Sequence, residues 1–344
     1  MIFVTGGTGF LGRHLVPALC GAGYSVRVLT RDISANSWLQ RYPSVQIITG
    51  DLLDKDAIKR GIAGCRYVVH AGGMFRFWGD EQAFLETNAY GSEHVMAAAH
   101  AAGVERLVHI STAAVIGQPD PNLIIDESYP PNPADPYQRS KLQAEQSAIR
   151  YYEDHQLPVV ILRPGAYYGP LGTYAFNRLF FKDPMRGIIM QINGGSYIIF
   201  PAYISDVARS ILTALDTARL GEIYHICGDW ISHKEAFDIV CEEANIRWPR
   251  LPIPGWLGIQ TARMLEALSV ITHSEPFWPL NLRSYVYNNW RISSDKARRE
   301  LGFAPTAFRE GAKQTIAWYR AGQPDHMPAL ECLKGSHLSD QQVN

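Results

Sequence analysis

The sequence predicts an α/β protein built on a doubly wound parallel sheet, and three observations support this prediction. Short, nearly continuous apolar runs recur in the first half of the 344-residue chain, as expected of strands that are buried on both faces. Helical segments separate these runs, which is the order of a parallel sheet with right-handed crossovers. A glycine-rich turn, TGGTGFLG at residues 5–12, lies between the first apolar run and the first helical segment.

Predicted strands and helices alternate up to residue 165, where an aromatic, proline-marked region begins. Six strands are predicted, at MIFV (1–4), YSVRVLT (24–30), VQIIT (45–49), CRYVVHA (65–71), ERLVHIS (105–111) and PVVILRP (158–164). Helices are predicted between them at residues 13–24, 54–64, 81–103 and 136–156. A helix at 205–218 and a strand at 222–227 are expected to return to the sheet.

The first turn carries Gly6, Gly9 and Gly12 with the spacing GxxGxxG. Glycine lets the backbone approach a ligand closely, and the first N–H groups of a helix have no partners within it. A diphosphate fits at such a helix start, because the helix dipole gives it partial positive charge. The spacing alone also fits an ordinary turn, but the strand-turn-helix-strand context is typical of a Rossmann-type dinucleotide site.

These patterns divide the chain into a cofactor domain and a substrate lobe. Residues 1–165 are predicted to form an NAD(P)-binding Rossmann domain, to which residues 204–227 return. The regions 166–203 and 228–322 are assigned to a smaller C-terminal substrate-binding lobe. Residues 323–344 are predicted to be a polar tail.

Composition and charge favour a cytoplasmic enzyme that acts on a small molecule. The formal net charge of −1 gives no electrostatic reason to expect nucleic acid or an anionic membrane as partner. The five cysteines lack CxxC spacing, so neither a metal site nor a disulfide framework is expected. No apolar run is long enough for a membrane span. The most apolar stretch, residues 251–270, is predicted as an amphipathic helix that covers the substrate lobe, with contact to a membrane surface as the alternative.

Ligands of open parallel sheets bind at the carboxyl ends of the strands, so the residues after each strand are candidate cofactor contacts. After the third strand, Asp51 and Leu52 are expected to bracket an adenine, and a turn or helix cap is the alternative for Asp51. After the fourth strand, Ala71, Gly72 and Gly73 are small enough to let a cofactor ribose pass.

Hydroxyl and phenol groups follow the fifth strand. Ser111 and Thr112 come directly after it, and a hydroxyl there can donate to a carbonyl oxygen. The next helix is predicted to have Asp135 as its N-cap, which puts Tyr137 in the first turn and Lys141 on the same face. An ammonium group about 4 Å from a phenol contributes about 4 kcal/mol at an effective dielectric constant of about 20. We therefore expect Lys141 to lower the pKa of Tyr137, so that the phenol passes a proton near neutral pH.

In these motifs and their order, the sequence resembles the extended short-chain dehydrogenase/reductases, also called the NAD-dependent epimerase/dehydratase family. The resemblance runs from Met1 to about Tyr319 and includes TGGTGFLG, GDLLD, HAGG, ETNAYGSEHV, ISTAAVIG, YQRSK, LRPGAYYGP, YISDVA and SSDKARRELGF. It implies a nicotinamide cofactor that lies across the sheet and hydride transfer at a carbon that bears oxygen.

The resemblance also implies roles for individual residues. Tyr137 would act as acid and base, and Lys141 would bind the ribose and tune the phenol. Thr112 would complete the triad, with Ser111 as the substitute, and Asn88 would be structural. The cofactor contacts assigned from the motifs and the resemblance are Gly6, Thr8, Gly9, Phe10, Leu11, Gly12, Thr30, Arg31, Asp51, Leu52, Ala71, Gly72, Gly73, Ser111, Pro164, Gly165 and Tyr167.

Two departures from the family pattern narrow the activity. Ala113 and Ala114 stand where sugar-nucleotide 4,6-dehydratases carry an Asp-Glu pair, and Gly165 stands where many sugar-nucleotide epimerases carry asparagine. The chain therefore looks closest to the 3β-hydroxysteroid dehydrogenase and dihydroflavonol reductase-like branches, which act on less polar alcohols and ketones. Aromatic residues that would suit such a substrate are Phe75, Phe77, Trp78, Tyr167, Tyr168, Phe176, Phe180, Phe181 and Trp278.

We predict an NAD(P)-dependent oxidoreductase that transfers a hydride between a nicotinamide and a ketone or secondary alcohol on a relatively apolar small molecule. The alternative is a nucleotide-sugar epimerase with the same triad and a retained cofactor. Arg178, Lys182, Arg186 and Arg283 would then hold the diphosphate of its substrate. A dinucleotide sensor without turnover is a third hypothesis, which the paired phenol and ammonium groups argue against. A homodimer is considered as the assembly.

The end of the second strand, VRVLTRD, predicts NADP as the cofactor, with NAD as the second choice. NAD-specific proteins carry an acidic residue there that binds the ribose hydroxyls, whereas this chain has Thr30 followed by Arg31. A guanidinium suits phosphate oxygens, so Arg31 is expected to bind the additional phosphate of NADP. The carboxylate of Asp32 argues against NADP, because its negative charge would repel this phosphate. However, successive side chains of an extended segment point to opposite sides, so Asp32 is expected to point away from the side of Arg31.

Overall fold

A seven-stranded parallel sheet forms the centre of the protein in the computed structural model, which describes residues 1–325. The strands of the chain are β1 (Ile2–Thr5), β2 (Val26–Thr30), β3 (Val45–Thr49), β4 (Tyr67–His70), β5 (Arg106–Ile110), β6 (Val159–Pro164), β7 (Ala166–Tyr168), β8 (Met190–Ile192), β9 (Ile198–Ile199), β10 (Pro201–Tyr203), β11 (Ile223–Ile226), β12 (Ile231–Ser232) and β13 (Leu251–Ile253). The central sheet has the order β11-β6-β5-β4-β1-β2-β3 with all neighbours parallel. The predicted fold class is confirmed.

Helices cover both faces of this sheet, because successive strand residues point to opposite sides. The helices are α1 (Gly12–Gly21), α2 (Lys55–Ile62), α3 (Glu81–Phe84), α4 (Gly91–Ala101), α5 (Pro136–His155), α6 (Asp183–Met185), α7 (Ile204–Asp216), α8 (His233–Glu243), α9 (Gly255–Thr272), α10 (Arg283–Val286), α11 (Asp295–Leu301) and α12 (Phe308–Arg320). In β1, Ile2 and Val4 pack into a core with α1 and α7, while Phe3 packs into a second core with α2 and α4. Among the helices described, none is long and apolar enough to cross a membrane.

The sheet reverses its strand order beside β1, which lies between β2 and β4. The connections from β1 to β2 and from β3 to β4 therefore lead to opposite sides of β1. In open α/β sheets such a reversal leaves a crevice at the carboxyl ends of the strands, and ligands bind there.

The long helix predicted at residues 81–103 differs in the structure. It consists of α3, a π-helical segment at Leu85–Tyr90 and α4. The π-helical segment contains Asn88, whose side chain bonds to Met74 and to Ser140 on α5. Such wide turns often occur at functional sites, and apolar spacing alone does not indicate them.

The part of the chain after β6 builds around the carboxyl ends of the sheet. Two-stranded ribbons form between β7 and β10, β9 and β12, and β8 and β13. The strand expected at 222–227 joins the sheet as β11 beside β6, whereas the division into two domains stays a prediction. The helix predicted at 251–270 starts at Gly255, because residues 251–253 pair with β8 instead. Of the predicted polar tail, residues 326–344 lie outside the described residues.

Candidate active site

A cavity of about 550 Å³ opens at the carboxyl ends of β1, β4, β5 and β6. The turn after β1 and the loop after β4 form one end, and α5 contributes two side chains to the floor. Residues after β6 and from α10 form the outer wall. The lining residues come from segments 6–13, 71–77, 110–114, 137–141, 164–180, 199–200 and 282–286.

The glycine turn after β1 approaches the backbone of the loop after β4. Gly6 has a φ of 70°, and a Cβ there would lie 2.5 Å from Ala71 O. Gly9 N donates to Gly6 O at 3.0 Å, which closes the turn just before α1 begins. Larger residues would separate the two loops, so the glycines keep backbone N–H groups at the cavity wall, as binding of a diphosphate requires.

The hydroxyl groups that follow β5 lie in the cavity. Thr112 lies two residues beyond the end of β5 and is the N-cap of a 3₁₀ turn, where its Oγ1 accepts from Ala114 N at 3.2 Å. Ser111 is buried, and its Oγ has no hydrogen-bond partner within the described part of the chain. Both side chains line the cavity, and each keeps a hydroxyl proton available for an oxygen atom of a ligand.

The first turn of α5 contains the phenol, as the sequence predicts. Asp135 is the N-cap and accepts from Gln138 N at 2.9 Å, and Pro136 is the first helical residue. Tyr137 lies in the cavity with its ring centroid 4.7 Å from that of Phe75. Lys141, one turn later, is buried and donates from Nζ to Ile110 O at 2.7 Å.

Electrostatics at the phenol differ from the expectation. Burial raises the pKa of Tyr137 above its ordinary value, the charge of Asp135 raises it further, and the neighbouring Thr112 hydroxyl lowers it. The expected lowering by Lys141 is wrong for this structure, because burial dominates and also lowers the pKa of Lys141 itself to about 8, against a smaller raising effect of Glu145. The phenol is therefore a proton donor throughout the neutral pH range.

A hydrogen-bond chain fixes the position of this helix turn. Asn88 Oδ1 accepts from Met74 N at 2.6 Å, and its Nδ2 donates to Met74 O at 3.0 Å and to Ser140 Oγ at 2.9 Å. Ser140 Oγ donates in turn to Tyr137 O at 2.8 Å. The structural role that the resemblance gives to Asn88 thus has a specific form: it ties the loop after β4 to the helix turn that contains the phenol.

The histidine at the end of β4 supports the strand ends. Thr5 Oγ1 and His70 Nδ1 are 2.6 Å apart, and His70 Nε2 lies 2.8 Å from Ser92 Oγ. Burial lowers the pKa of His70 to about 3, and the charge of Lys141 adds to this effect, so the ring is neutral. No group of three or more His, Cys, Asp and Glu side chains that could hold a metal ion occurs in residues 1–325.

Comparison with known sequences agrees with this geometry. The profile of the family described as "NAD dependent epimerase/dehydratase family" matches residues 2–227, which include the glycine turn, Tyr137 and Lys141. The chain belongs to this family. It is an extended short-chain dehydrogenase/reductase, and its relatives in the family include reductases, dehydratases and epimerases.

Three relatives illustrate this range. A "4-hydroxy-2-methyl-3-oxo-4-farnesyl-3,4-dihydroquinoline-1-oxide ketoreductase" of Stigmatella aurantiaca is 32% identical over 88% of this chain and 91% of its own length. A dTDP-glucose 4,6-dehydratase of Streptomyces niveus is 28% identical over 93% of this chain and 92% of its own. The crystal structure of DesIV, a dTDP-glucose 4,6-dehydratase of Streptomyces venezuelae with NAD and TYD bound, is 26% identical, has a TM-score of 0.77, and covers 93% of this chain and 97% of its own.

Most of the site residues predicted for this family member line the cavity: Gly6, Thr8, Gly9, Phe10, Leu11, Ala71, Gly72, Gly73, Ser111, Thr112, Tyr137, Lys141, Pro164, Gly165 and Tyr167. The structure leaves five predicted residues outside it: Gly12, Thr30, Arg31, Asp51 and Leu52. Gly12 has a packing role: a Cβ there would lie 2.3 Å from Gly7 O, so only glycine fits against the turn at this position. Asp51 Oδ1 accepts from Leu53 N at 2.8 Å within a turn, and Leu52 packs in the core.

Sequence reasoning missed several residues of the cavity wall. Arg13, in the first turn of α1, lines the cavity, and its Nε is buried without a partner in the described range. Its position directly after the glycine motif is a signal that could have identified it. Tyr174 and Tyr285 also line the cavity, and their rings lie 5.6 and 5.2 Å from that of Phe77. They come from distant parts of the chain, so no local pattern indicates them.

Proposed function

We propose that this enzyme is an NADP-dependent ketoreductase that acts on a relatively apolar ketone or, in reverse, on the secondary alcohol. One observation carries the proposal: Tyr137, with its raised pKa, faces a cavity whose outer wall is aromatic. The Phe75 ring lies 4.7 Å from that of Tyr137 and 5.1 Å from that of Phe77. Such a wall suits a flat apolar substrate.

The side chains of the cavity can carry out the proton half of the reduction. A ketone oxygen between Thr112 and Tyr137 accepts a hydrogen bond from each hydroxyl. When bound, a reduced nicotinamide supplies the hydride to the carbonyl carbon. Tyr137 then donates its proton to the developing alkoxide. Lys141 keeps two further N–H donors beyond its bond to Ile110 O, which suit a cofactor ribose.

Charge argues for this reaction over epimerisation of a nucleotide sugar. None of the four basic residues considered for a substrate diphosphate lines the cavity. Arg178, for example, pairs with Asp183 at 3.2 Å and donates to Phe277 O at 2.7 Å, so its guanidinium is already bound. Two curated relatives, the ketoreductase of Stigmatella aurantiaca and a 2-alkyl-3-oxoalkanoate reductase of Stenotrophomonas maltophilia, are by name reductases of carbonyl compounds.

The preference for NADP rests on the surroundings of β2. Arg31 is exposed and makes no hydrogen bond or ion pair with the described residues. Asp32 is the acidic residue that argued against NADP. Its Oδ1 accepts from Ser34 N at 2.8 Å, from Ser34 Oγ and from Ala35 N, so its carboxylate is hydrogen-bonded within the turn that follows Arg31. Arg13 contributes a second cation beside the glycine turn: its Nη2 donates to Asp325 O at 2.7 Å, while its Nε has no partner among the described residues. Both guanidiniums suit a phosphate.

An assay with two arms tests the reaction. The purified protein is incubated with NADPH and a panel of apolar ketones, including steroids and flavonoids, and separately with NAD and UDP-hexoses. We expect NADPH to be oxidised with at least one apolar ketone and the UDP-hexoses to remain unchanged. Interconversion of UDP-hexoses without net cofactor consumption would contradict the proposal.

A titration tests the cofactor preference. A charge-assisted hydrogen bond contributes about 1.5 to 3 kcal/mol, so Arg31→Ala is expected to weaken NADP binding about tenfold to a hundredfold and to leave NAD binding nearly unchanged. Arg60→Ala, which removes an exposed arginine in the last turn of α2, is the matched control and should change neither affinity. Equal affinities of the wild-type protein for both cofactors, or equal losses in Arg31→Ala, would show that Arg31 does not bind the phosphate.

A further inference from the structure

Helix α9 presents its large apolar side chains to the outside. Val270 is 71% exposed, Ile271 77% and Trp256 68%. The helix is therefore not amphipathic in the predicted sense, because its bulky apolar face does not cover the substrate lobe. The exposed large side chains of α9 are Trp256, Leu257, Met264, Leu268, Val270 and Ile271.

Small residues explain this orientation. The buried residues of α9 are Gly255, Gly258, Ala262 and Ser269. A Cβ at Gly258 would lie 2.3 Å from Tyr287 Oη, so only a residue without a side chain fits against the lobe at this point. Ala262 packs in a cluster that includes Leu282 and Val286, which line the cavity. The inner face of the helix thus backs the cavity wall, and its outer face is left without a partner among the described residues.

The exposed apolar surface is broad rather than a single stripe. Eleven of the 18 residues of α9 are exposed, and one of these, Arg263, is charged. Exposed Trp248, Leu251 and Phe277 flank the helix in sequence and add to the apolar surface. A helix-helix seam buries one narrow stripe of residues, whereas a flat apolar medium covers a whole helix side.

Arginine residues outnumber acidic residues around α9. Residues 245–283 contain four arginines and two glutamates. Both glutamates are bound within the protein: Glu266 accepts from Leu280 N at 3.0 Å, and Glu275 accepts from the Tyr174 hydroxyl. Arg247 and Arg263 form no ion pair with residues 1–325. Arg250 is paired with Asp238, so the excess of positive charge around α9 comes from Arg247, Arg263 and Arg283, although the whole chain has a net charge of −1.

We propose that α9 is a monotopic membrane-binding helix that lies in the headgroup region of an anionic bilayer, parallel to its surface. Trp256 and the exposed aliphatic side chains of α9, with Trp248 just before the helix, would enter the boundary of the acyl chains. Arg263 on the helix and Arg247 before it would bind lipid phosphates. A helix of 18 residues is about 27 Å long, which suits a position along the surface. Because the same helix backs the cavity wall, an apolar substrate dissolved in the bilayer would reach the cavity over a short path. Binding to the membrane does not depend on the reaction proposed above.

Vesicle flotation with the full chain tests this proposal. We expect the protein to float with vesicles of phosphatidylcholine and phosphatidylglycerol in equal parts, to bind pure phosphatidylcholine more weakly, and to lose the difference at high salt. The double variant Met264→Gln/Ile271→Gln should bind at least tenfold more weakly, because two large apolar side chains no longer enter the bilayer. Ile124→Gln replaces an apolar residue that is 62% exposed elsewhere on the surface, and it should bind like the wild type.

Two further measurements decide between membrane and protein partners. Turnover of a water-soluble ketone should be the same in the double variant as in the wild type. This result would show that the double variant is folded and that catalysis does not require membrane binding. Sedimentation velocity should give the same assembly state for the wild type and the double variant. Equal vesicle binding by the wild type and the double variant would overturn the proposal. A wild-type dimer that does not bind vesicles, together with a monomeric double variant, would also overturn it, because α9 would then contact a second copy of the chain.

Discussion

Replacing Asp135 by asparagine should stabilise the protein at neutral and alkaline pH. Asp135 is 2% exposed, and burial raises its pKa to about 6, against an ordinary value of 3.8. The raised value means that ionisation costs stability as the pH rises from about 3.8 through about 6. Two pKa units correspond to about 3 kcal/mol. Asparagine carries no charge and still accepts the hydrogen bond from Gln138 N, so it keeps the cap and avoids this cost.

The assay is urea unfolding of both proteins between pH 4.5 and pH 8. We expect the free energy of unfolding of Asp135→Asn to exceed that of the wild type at pH 8 by about 1 to 3 kcal/mol, and the advantage to shrink by about 2 kcal/mol at pH 4.5. Asp54→Asn is the matched control, because Asp54 caps α2 in the same way at an exposed position. A variant that is less stable than the wild type at pH 8, or an advantage that does not change with pH, would refute the reasoning.

Other substitutions test the phenol and its support. Tyr137→Phe should reduce turnover more than a hundredfold and leave cofactor affinity nearly unchanged. A residual rate above about a tenth of the wild-type rate would contradict general acid catalysis. Lys141→Met should reduce both turnover and cofactor affinity. Asn88→Ala breaks the chain through Ser140 and should lower kcat more than KM, whereas Asn88→Asp, which keeps the acceptor for Met74 N, should retain more of the rate. Equal losses in both Asn88 variants would mean that the amide donor to Ser140, rather than the acceptor, is decisive.

The fold was predictable because the strands are buried on both faces. The run PVVILRP at residues 158–164 forms β6 (Val159–Pro164), in which every residue is buried, and the first turn of α5 begins as its cap and proline indicate. These features depend on neighbours along the chain. The glycine turn belongs to the same class, since its spacing and its strand-helix context are local.

The features that were not predictable depend on contacts between distant residues. The pKa of Tyr137 follows from burial and from Asp135, and a spacing rule that considers Lys141 alone gives the wrong sign. The outward side of α9 was set by the glycines that approach the lobe, among them Gly258 against Tyr287, and not by the pattern of apolar residues. Tyr174 and Tyr285 reach the cavity only through the packing of the segments after β6.

The most direct test of the proposed reaction follows a labelled hydride. NADPH carrying deuterium at C4 of the nicotinamide, on each face in turn, is supplied with an apolar ketone that the assay identifies as a substrate. The proposal predicts one NADPH oxidised for each alcohol formed, deuterium from one face on the carbinol carbon, and loss of this product in Tyr137→Phe. An alcohol without the label, or a substrate inverted at an oxygen-bearing carbon while the cofactor stays unconsumed, would contradict it.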